Sequence, residues 1–382
     1  MKTCDEKMNI VYRPTWAEVD LEAIRYNFRQ VRRFYPQKKI IAVVKADAYG
    51  HGMNEVACLL DKEQVDIFGV SNVNEGIQLR RLGLRRPILI FESLLSPCEE
   101  AILKHNLIPS ICTLEFARVL NLYARKKNKV VDVHIKVDTG MGRLGVWYED
   151  ALAFVRQVSQ LYHLRITGLY THFSSADSDP GFTRGQMIEL KKLIKKLDCE
   201  GLVVPYIHQA NSMGLIGYSS DFNSARPGLM LYGLSPKPGA RLKIKLKPAL
   251  SVKSKIVFLK RIAKGRSISY GRTFIAPRTM TVATLPIGYN DGYLRCLSNK
   301  SFCLVGGKRC PVVGRVTMDQ MMIDVSAVKN VSLGMDVVLL GRQGKQNVSA
   351  SDLAQWADTI NYEIACSLGN RLPRIYKTEH SR

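Results

Sequence analysis

Eight short runs of β-branched and apolar residues recur through the first two-thirds of this chain, and their regularity limits the folds open to it. They fall at residues 40–44, 67–71, 87–91, 108–112, 131–137, 166–172, 203–208 and 228–232. Longer stretches with helical patterning accompany them, at 21–33, 75–82, 114–127 and 184–197. Eight strands alternating with helices predict an α/β architecture closed as a (β/α)8 TIM-type barrel of the usual size, roughly 250 residues. The texture changes after about Pro236, where Pro236, Pro238, Gly239 and Pro248 interrupt it. Runs at 250–262, 280–285, 310–316, 321–325 and 337–340 follow, separated by turn signals such as Asn290-Asp291-Gly292 and Gly306-Gly307. A short helix is expected at 350–359. The expected organisation is a barrel domain over 1–240 and a mainly β C-terminal domain over 241–382.

Composition removes several classes. Of the 382 residues, 46% are hydrophobic and 23% charged, which is globular rather than disordered composition. No apolar run approaches the roughly 18–20 residues of a membrane span, and the polar start Met1-Lys2-Thr3-Cys4 has no signal-peptide core. Nine cysteines, with no C-x-x-C pair, argue against a disulfide framework or a zinc site and for a reducing compartment. No metal is expected. The net charge of +23 is concentrated at Arg80-Arg81, Arg85-Arg86, Arg125-Lys126-Lys127 and Lys191, Lys192, Lys195 and Lys196. These clusters lack the glycine and aromatic interleaving of a base-reading module. A solvated basic face is the first reading, attraction to an anionic cytoplasmic leaflet the second, and nucleic acid is not expected as a partner.

The chemistry gathers where the runs end. The stretch Ala42-Val43-Val44-Lys45-Ala46-Asp47-Ala48-Tyr49-Gly50-His51-Gly52 puts one lysine directly behind an apolar strand. Desolvation there disfavours the ammonium and frees the amine as a nucleophile, the condition a Schiff-base lysine needs. The plainer reading is a lysine marking the solvent end of a strand. Lys136 with Arg143, His172, Asn211 with Ser212, and Arg226 with Gly228 fall at other strand ends, the rim where barrels carry their chemistry.

These motifs, in this order, resemble the alanine racemase family of fold type III pyridoxal-phosphate enzymes. The resemblance covers nearly the whole chain. It runs through Lys45 to Gly52, Lys136-Val137-Asp138-Thr139-Gly140-Met141-Gly142-Arg143, Tyr170-Thr171-His172-Phe173 and Arg226-Pro227-Gly228. It continues in Ser269-Tyr270-Gly271-Arg272, Pro286-Ile287-Gly288-Tyr289, Gly314-Arg315-Val316-Thr317-Met318-Asp319-Gln320 and Tyr362-Glu363.

The resemblance implies pyridoxal 5'-phosphate carried by Lys45. Tyr49, Ser212, Tyr362 and the backbone of Gly228 and Leu229 would hold its phosphate. Asn211 precedes the phosphate serine and reads equally as a turn residue. Arg226 would face the pyridine nitrogen, with His172 hydrogen-bonded to it. An arginine has no site for that proton, so the ring is a weaker electron sink and reprotonation at Cα is favoured over transamination. Lys45 would be the base for the D-enantiomer and Tyr270 the base for the L-enantiomer, one on each face of the cofactor. Tyr270 and Met318 would come from the partner subunit of a homodimer. Arg143 and the Met318 backbone amide would meet the substrate carboxylate, and Lys136 matches a lysine that many members carbamylate.

The implied activity is interconversion of L- and D-alanine in the cytoplasm, supplying peptidoglycan precursors. Thr317, Asn290 and Asn370 are more polar than that substrate requires. They raise a serine reading, that of the serine/alanine racemases of vancomycin-resistant bacteria, whose racemase half adjoins a membrane half; the basic balance would suit a domain near the leaflet. Two other classes compete. A related decarboxylase would carry an acidic partner for the pyridine nitrogen, against Arg226 and Tyr270. A non-catalytic cofactor-binding protein would have no use for Tyr270 and Met318.

Overall fold

The computed structural model describes residues 12–218, 222–235 and 244–378. Cys4, Pro236, Pro238 and Gly239, on which parts of the sequence reading rest, lie outside the described residues. The chain divides into two compact units, Ala23–Pro248 on one hand and Met1–Glu22 with Ala249–Arg382 on the other.

The first unit is the barrel. Its strands are β1 (Lys39–Val43), β2 (Ile67–Val70), β3 (Ile88–Ser93), β4 (Ile108–Ile111), β5 (Val131–Asp138), β6 (Leu164–Tyr170), β7 (Tyr206–Asn211) and β8 (Ser224–Arg226). Each pairs in parallel with its neighbours in sequence, and β8 pairs with β1, which closes the ring. Parallel strands covered by helices read as continuous apolar runs, as the fully buried Ile67–Val70 does. The helices between them carry their own end signals. Thr113 accepts from the Phe116 N–H ahead of Leu114–Lys126, which has Glu115 in its first turn and Arg125 and Lys126 in its last. Pro180–Cys199 begins behind Asp179, whose side chain accepts from the Phe182 N–H, with proline in the first turn.

One strand sits elsewhere than its apolar run. The run at 228–232 is not the eighth strand: Leu229–Tyr232 is a buried 3-10 turn, and the strand is the shorter Ser224–Arg226 before it. Pro227 has no N–H to continue the ladder, and its carbonyl instead accepts from Val43 N–H at 3.0 Å. Arg80, read with the basic face, is also not simply solvated. Its guanidinium donates to the carbonyls of Leu84, Arg86, His105 and Asn106, and burial lowers its pKa.

The second unit is mainly β and takes its first strand from the N-terminal end of the chain. Thr15–Asp20 pairs antiparallel with Leu250–Lys255 and parallel with Arg374–Lys377. The expected division into 1–240 and 241–382 is therefore corrected at its start: residues 15–20 alternate buried and half-buried positions, and their buried face completes this sheet. The run at 250–262 is two strands in two sheets. At the break, Ile256 N–H donates to Met335 O and Val257 N–H to Thr284 O, so the chain passes from one sheet to the next. Phe258–Ile262, Met280–Leu285 and Met321–Asp324 form the smaller sheet. Among the described residues no helix is long and apolar enough to cross a membrane, and no cluster of His, Cys, Asp and Glu is arranged to hold a metal.

Candidate active site

Lys45 follows β1 directly and opens an unusual turn. Ala46, Asp47, Ala48 and Tyr49 all have φ between 52° and 54° with ψ between 43° and 53°, a left-handed helical turn of non-glycine residues. Each such residue costs about 1–2 kcal/mol over a right-handed one, so the surroundings must offset several. Asp47 Oδ1 accepts from Met53 N–H at 2.8 Å, Ala46 N–H donates to Glu75 Oε1 at 2.8 Å, and Gly52 N–H donates to Asp47 O at 2.9 Å. The His51 ring stacks on Tyr232 with centroids 4.5 Å apart, and Tyr232 hydroxyl donates to Val43 O at 2.9 Å. The turn brings the Tyr49 hydroxyl beside Gly228, where any Cβ would lie 2.9 Å from that oxygen.

Around Gly228 several donors converge. Ser212, buried at the start of Ser212–Gly217, accepts on its Oγ from the N–H groups of Gly228 at 3.1 Å and Met230 at 3.3 Å. The Tyr49 hydroxyl oxygen lies beside the same Gly228 backbone, next to buried Leu229. Asn211 caps this short helix through Gly214 N–H at 2.8 Å, which is the turn role its sequence also suggested. Hydroxyls and backbone N–H groups beside a Cβ-free backbone make a donor set that fits a phosphate dianion.

Arg226, 3% exposed, ends β8. Its Nη1 donates to His208 Nδ1 at 2.6 Å and His208 O at 3.0 Å. Its Nη2 donates to Thr171 O at 2.7 Å, Gln209 O at 3.2 Å and His172 Nδ1 at 3.3 Å. Every one of these acceptors is uncharged. Burial accordingly lowers the Arg226 pKa to about 10. Burial first, and the Arg226 charge second, also hold His172 and His208 well below the usual histidine range and His134 at about 3. The guanidinium is thus a fixed cation among neutral imidazoles.

Lys136 lies on β5 with its Nζ buried and, among the described residues, without a hydrogen-bond partner, 4.6 Å from the Tyr170 ring centroid. Burial, then the Arg226 charge, lowers its pKa well below that of an ordinary lysine, which disfavours the ammonium form. Gly145 lets the chain approach it: a Cβ there would lie 2.7 Å from Lys136 O, and its φ is +108°. Asp138 shapes the loop that carries Arg143. Its carboxylate accepts from the N–H groups of Gly140 and Met141 at 2.8 Å and of Arg143 at 3.1 Å. Burial raises the Asp138 pKa, but these bonds outweigh it and the carboxylate stays ionised.

The structure therefore brings Lys45, Tyr49, Lys136, Arg143, His172, Asn211, Ser212, Arg226, Gly228 and Leu229 to the C-terminal side of the barrel strands. Tyr270, Met318 and Tyr362 belong to the other unit. Tyr270 is 72% exposed and Met318 51% exposed; Tyr362 is half-buried on Asn361–Cys366. Tyr270 sits in a strained turn, with Ser269, Gly271 and Arg272 all at positive φ and Ser269 Oγ donating to Arg315 O at 2.7 Å. Of the residues that raised the serine reading, Thr317 uses its hydroxyl locally: Oγ1 donates to Gln320 O at 2.7 Å and accepts from Gln320 N–H at 3.2 Å. Asn290 and Asn370 are exposed.

Sequence reasoning did not single out His208, His134 or the role of Tyr170. Period-two spacing was the available signal, since His134 and Lys136 share one face of β5.

With that geometry in place, comparison with known proteins is specific. The family profile for the alanine racemase N-terminal domain matches residues 19–236, and that for the alanine racemase C-terminal domain matches residues 249–376. An alanine racemase of Halothermothrix orenii is 45% identical over 97% of this chain and 98% of its own. The structure of an alanine racemase from Bacillus anthracis with bound L-Ala-P superposes with a TM-score of 0.90 at 34% identity, covering 97% of this chain and 96% of that one. A Bartonella henselae alanine racemase with covalently bound pyridoxal phosphate superposes with a TM-score of 0.86 at 28% identity, over 95% and 99% of the two chains.

Proposed function

This chain belongs to the alanine racemase family, and on that premise we propose that it interconverts L- and D-alanine with pyridoxal 5'-phosphate held at the barrel rim. When bound, that cofactor withdraws electrons from the amino acid and makes its Cα proton acidic. The observation that carries the reading is Arg226, a buried cation whose acceptors are all neutral. Beside the cofactor ring it would donate and take up no proton, which would favour prompt reprotonation at Cα.

The remaining roles are those that the family resemblance implies for each residue. Lys45 would hold the cofactor through its Nζ, and the same Nζ would take the proton from Cα of D-alanine. The Tyr270 hydroxyl serves the opposite face, for L-alanine. Tyr49, Ser212, Tyr362 and the Gly228–Leu229 backbone hold the phosphate, with Asn211 fixing the helix that carries Ser212. His172 steadies Arg226. Arg143 and the Met318 backbone amide bind the substrate carboxylate. Burial disfavours the Lys136 ammonium, and the neutral amine is the form that adds carbon dioxide; with loss of one proton to solvent, the resulting carbamate would give Arg143 an anion to rest against. The exposure of Tyr270 and Met318 supports a homodimer in which one protomer completes the site of its partner. By the same reading the enzyme works in the cytoplasm and supplies D-alanine for peptidoglycan precursors.

Purified protein should carry the visible absorbance of covalently held cofactor and racemise L-alanine. In Lys45→Ala the band should vanish and racemisation fall roughly 10³-fold or more. A variant that kept both would overturn the assignment.

A further inference from the structure

The bonding of Arg226 fixes more than its own position. An arginine can only donate, so the 2.6 Å contact between Arg226 Nη1 and His208 Nδ1 requires an unprotonated Nδ1 on His208. The proton of neutral His208 then sits on Nε2. That nitrogen lies 3.0 Å from His134 Nδ1. If His134 donated instead, both nitrogens of His208 would be acceptors at once, which only an imidazolate permits. His208 Nε2–H therefore donates, His134 Nδ1 accepts, and the proton of His134 is left on its own Nε2. Among the described residues that Nε2 has no hydrogen-bond partner, although the ring is fully buried.

We infer that His134 is a positioning residue: through His208 it fixes the tautomer, and hence the acceptor, that aims Arg226 at the cofactor. This rests on the racemase reading for its catalytic meaning, though the tautomer chain stands without it. Two further observations support a ring kept for its nitrogen rather than for packing. The barrel makes room for it at close quarters, because His134 pairs across the sheet with Gly168, where a Cβ would come within 2.3 Å of Nδ1. An apolar side chain would fill the same volume without bringing a buried donor that has nothing to bond. Histidine here adds no stability that leucine would lack, since removing it only moves the unpaired N–H from His134 to His208. What changes is where the loose donor lies. At His134 it is two imidazoles removed from Arg226; at His208 it touches the residue that holds the guanidinium, and His208 can turn to relieve it.

Nitrogen-15 spectroscopy of the holoenzyme labelled at histidine reads the tautomers directly. Both His134 and His208 should be neutral with the proton on Nε2 at pH 7–8. A proton on Nδ1 of either, or an imidazolium, overturns the inference whether or not the protein racemises alanine. His134→Leu should keep the thermal midpoint near that of the parent. It should lower kcat about tenfold, with KM little changed, and displace the Arg226 guanidinium in its crystal structure. His134→Asn, whose amide oxygen can accept from His208 Nε2–H, should restore most of kcat and the parent absorbance spectrum. Equal kcat in His134→Leu and the parent, or a leucine variant that loses activity only by unfolding while asparagine fails to rescue, overturns it. Failure of the racemase reading would show separately, as absence of racemisation in the parent protein.

Discussion

The two units present their functional side chains in opposite ways. On the barrel, Arg226, Lys136 and Ser212 are 5% exposed or less; Arg226 and Lys136 are set by their strands, Ser212 by the helix it opens, and Arg226 and Ser212 also bond polar neighbours of the same unit. On the β-rich unit, Tyr270 and Met318 are 72% and 51% exposed, held by tight turns beneath them. A buried cation must find its acceptors inside its own unit, because an unpaired one is too costly. An exposed tyrosine needs only a backbone that aims it. The barrel thus provides a preorganised electrostatic setting, and the β unit presents Tyr270 and Met318 to solvent.

The largest test of that contrast is complementation. Lys45→Ala and Tyr270→Phe should each abolish racemisation by roughly 10³-fold or more as homodimers. Co-refolded in equal amounts, they should recover about a quarter of the parent rate, because half the dimers are mixed and one of their two sites is intact. No recovery would mean that each protomer uses its own tyrosine.

Acid should act first on the barrel. His134, His172 and His208 are all held below their ordinary value of 6.5, His134 at about 3. Below pH 6.5 the unfolded chain binds protons that the folded chain refuses, so stability rises with pH in this window and falls as pH drops from about 6.5 towards 3. The loss should be about 1.4 kcal/mol per pH unit for each histidine. Urea unfolding monitored between pH 7 and 5 checks this. A midpoint that does not move would remove the barrel histidines as its cause, and His208→Gln with the same acid sensitivity as the parent would remove His208.

The smallest effect compares two glycines. Gly145→Ala places a Cβ 2.7 Å from Lys136 O at φ +108° and should cost about 2 kcal/mol. Gly271→Ala meets the tip of Arg315, which can swing away, at φ +68°, and should cost about 1 kcal/mol. Both are measured by denaturant unfolding. The reverse order would place the tighter backbone in the β unit.

Much of this was legible in the residues. Lys45, Lys136, Arg226 and Tyr270 stood in motifs long enough to name, and seven of the eight barrel strands lay at or near their apolar runs. Strand eight did not, because an apolar run records burial and Leu229–Tyr232 is a buried turn. Residues 15–20 were too short a pattern to assign to a sheet whose other strands begin more than two hundred residues later.

The sequence by itself determined the order of elements, the family and the chemical types at the rim, since these depend on periodicity and on residues that remain near one another along the chain. Only the tertiary structure decided how Lys45 leaves its strand and how Arg226 is held. Four successive left-handed residues carry no local preference and persist because Glu75 and Tyr232 pack around them and the Asp47 carboxylate ties the turn to Met53 N–H. The orientation of Arg226 depends on imidazoles from β5 and β7, whose protons are assigned only once donors and acceptors meet in space.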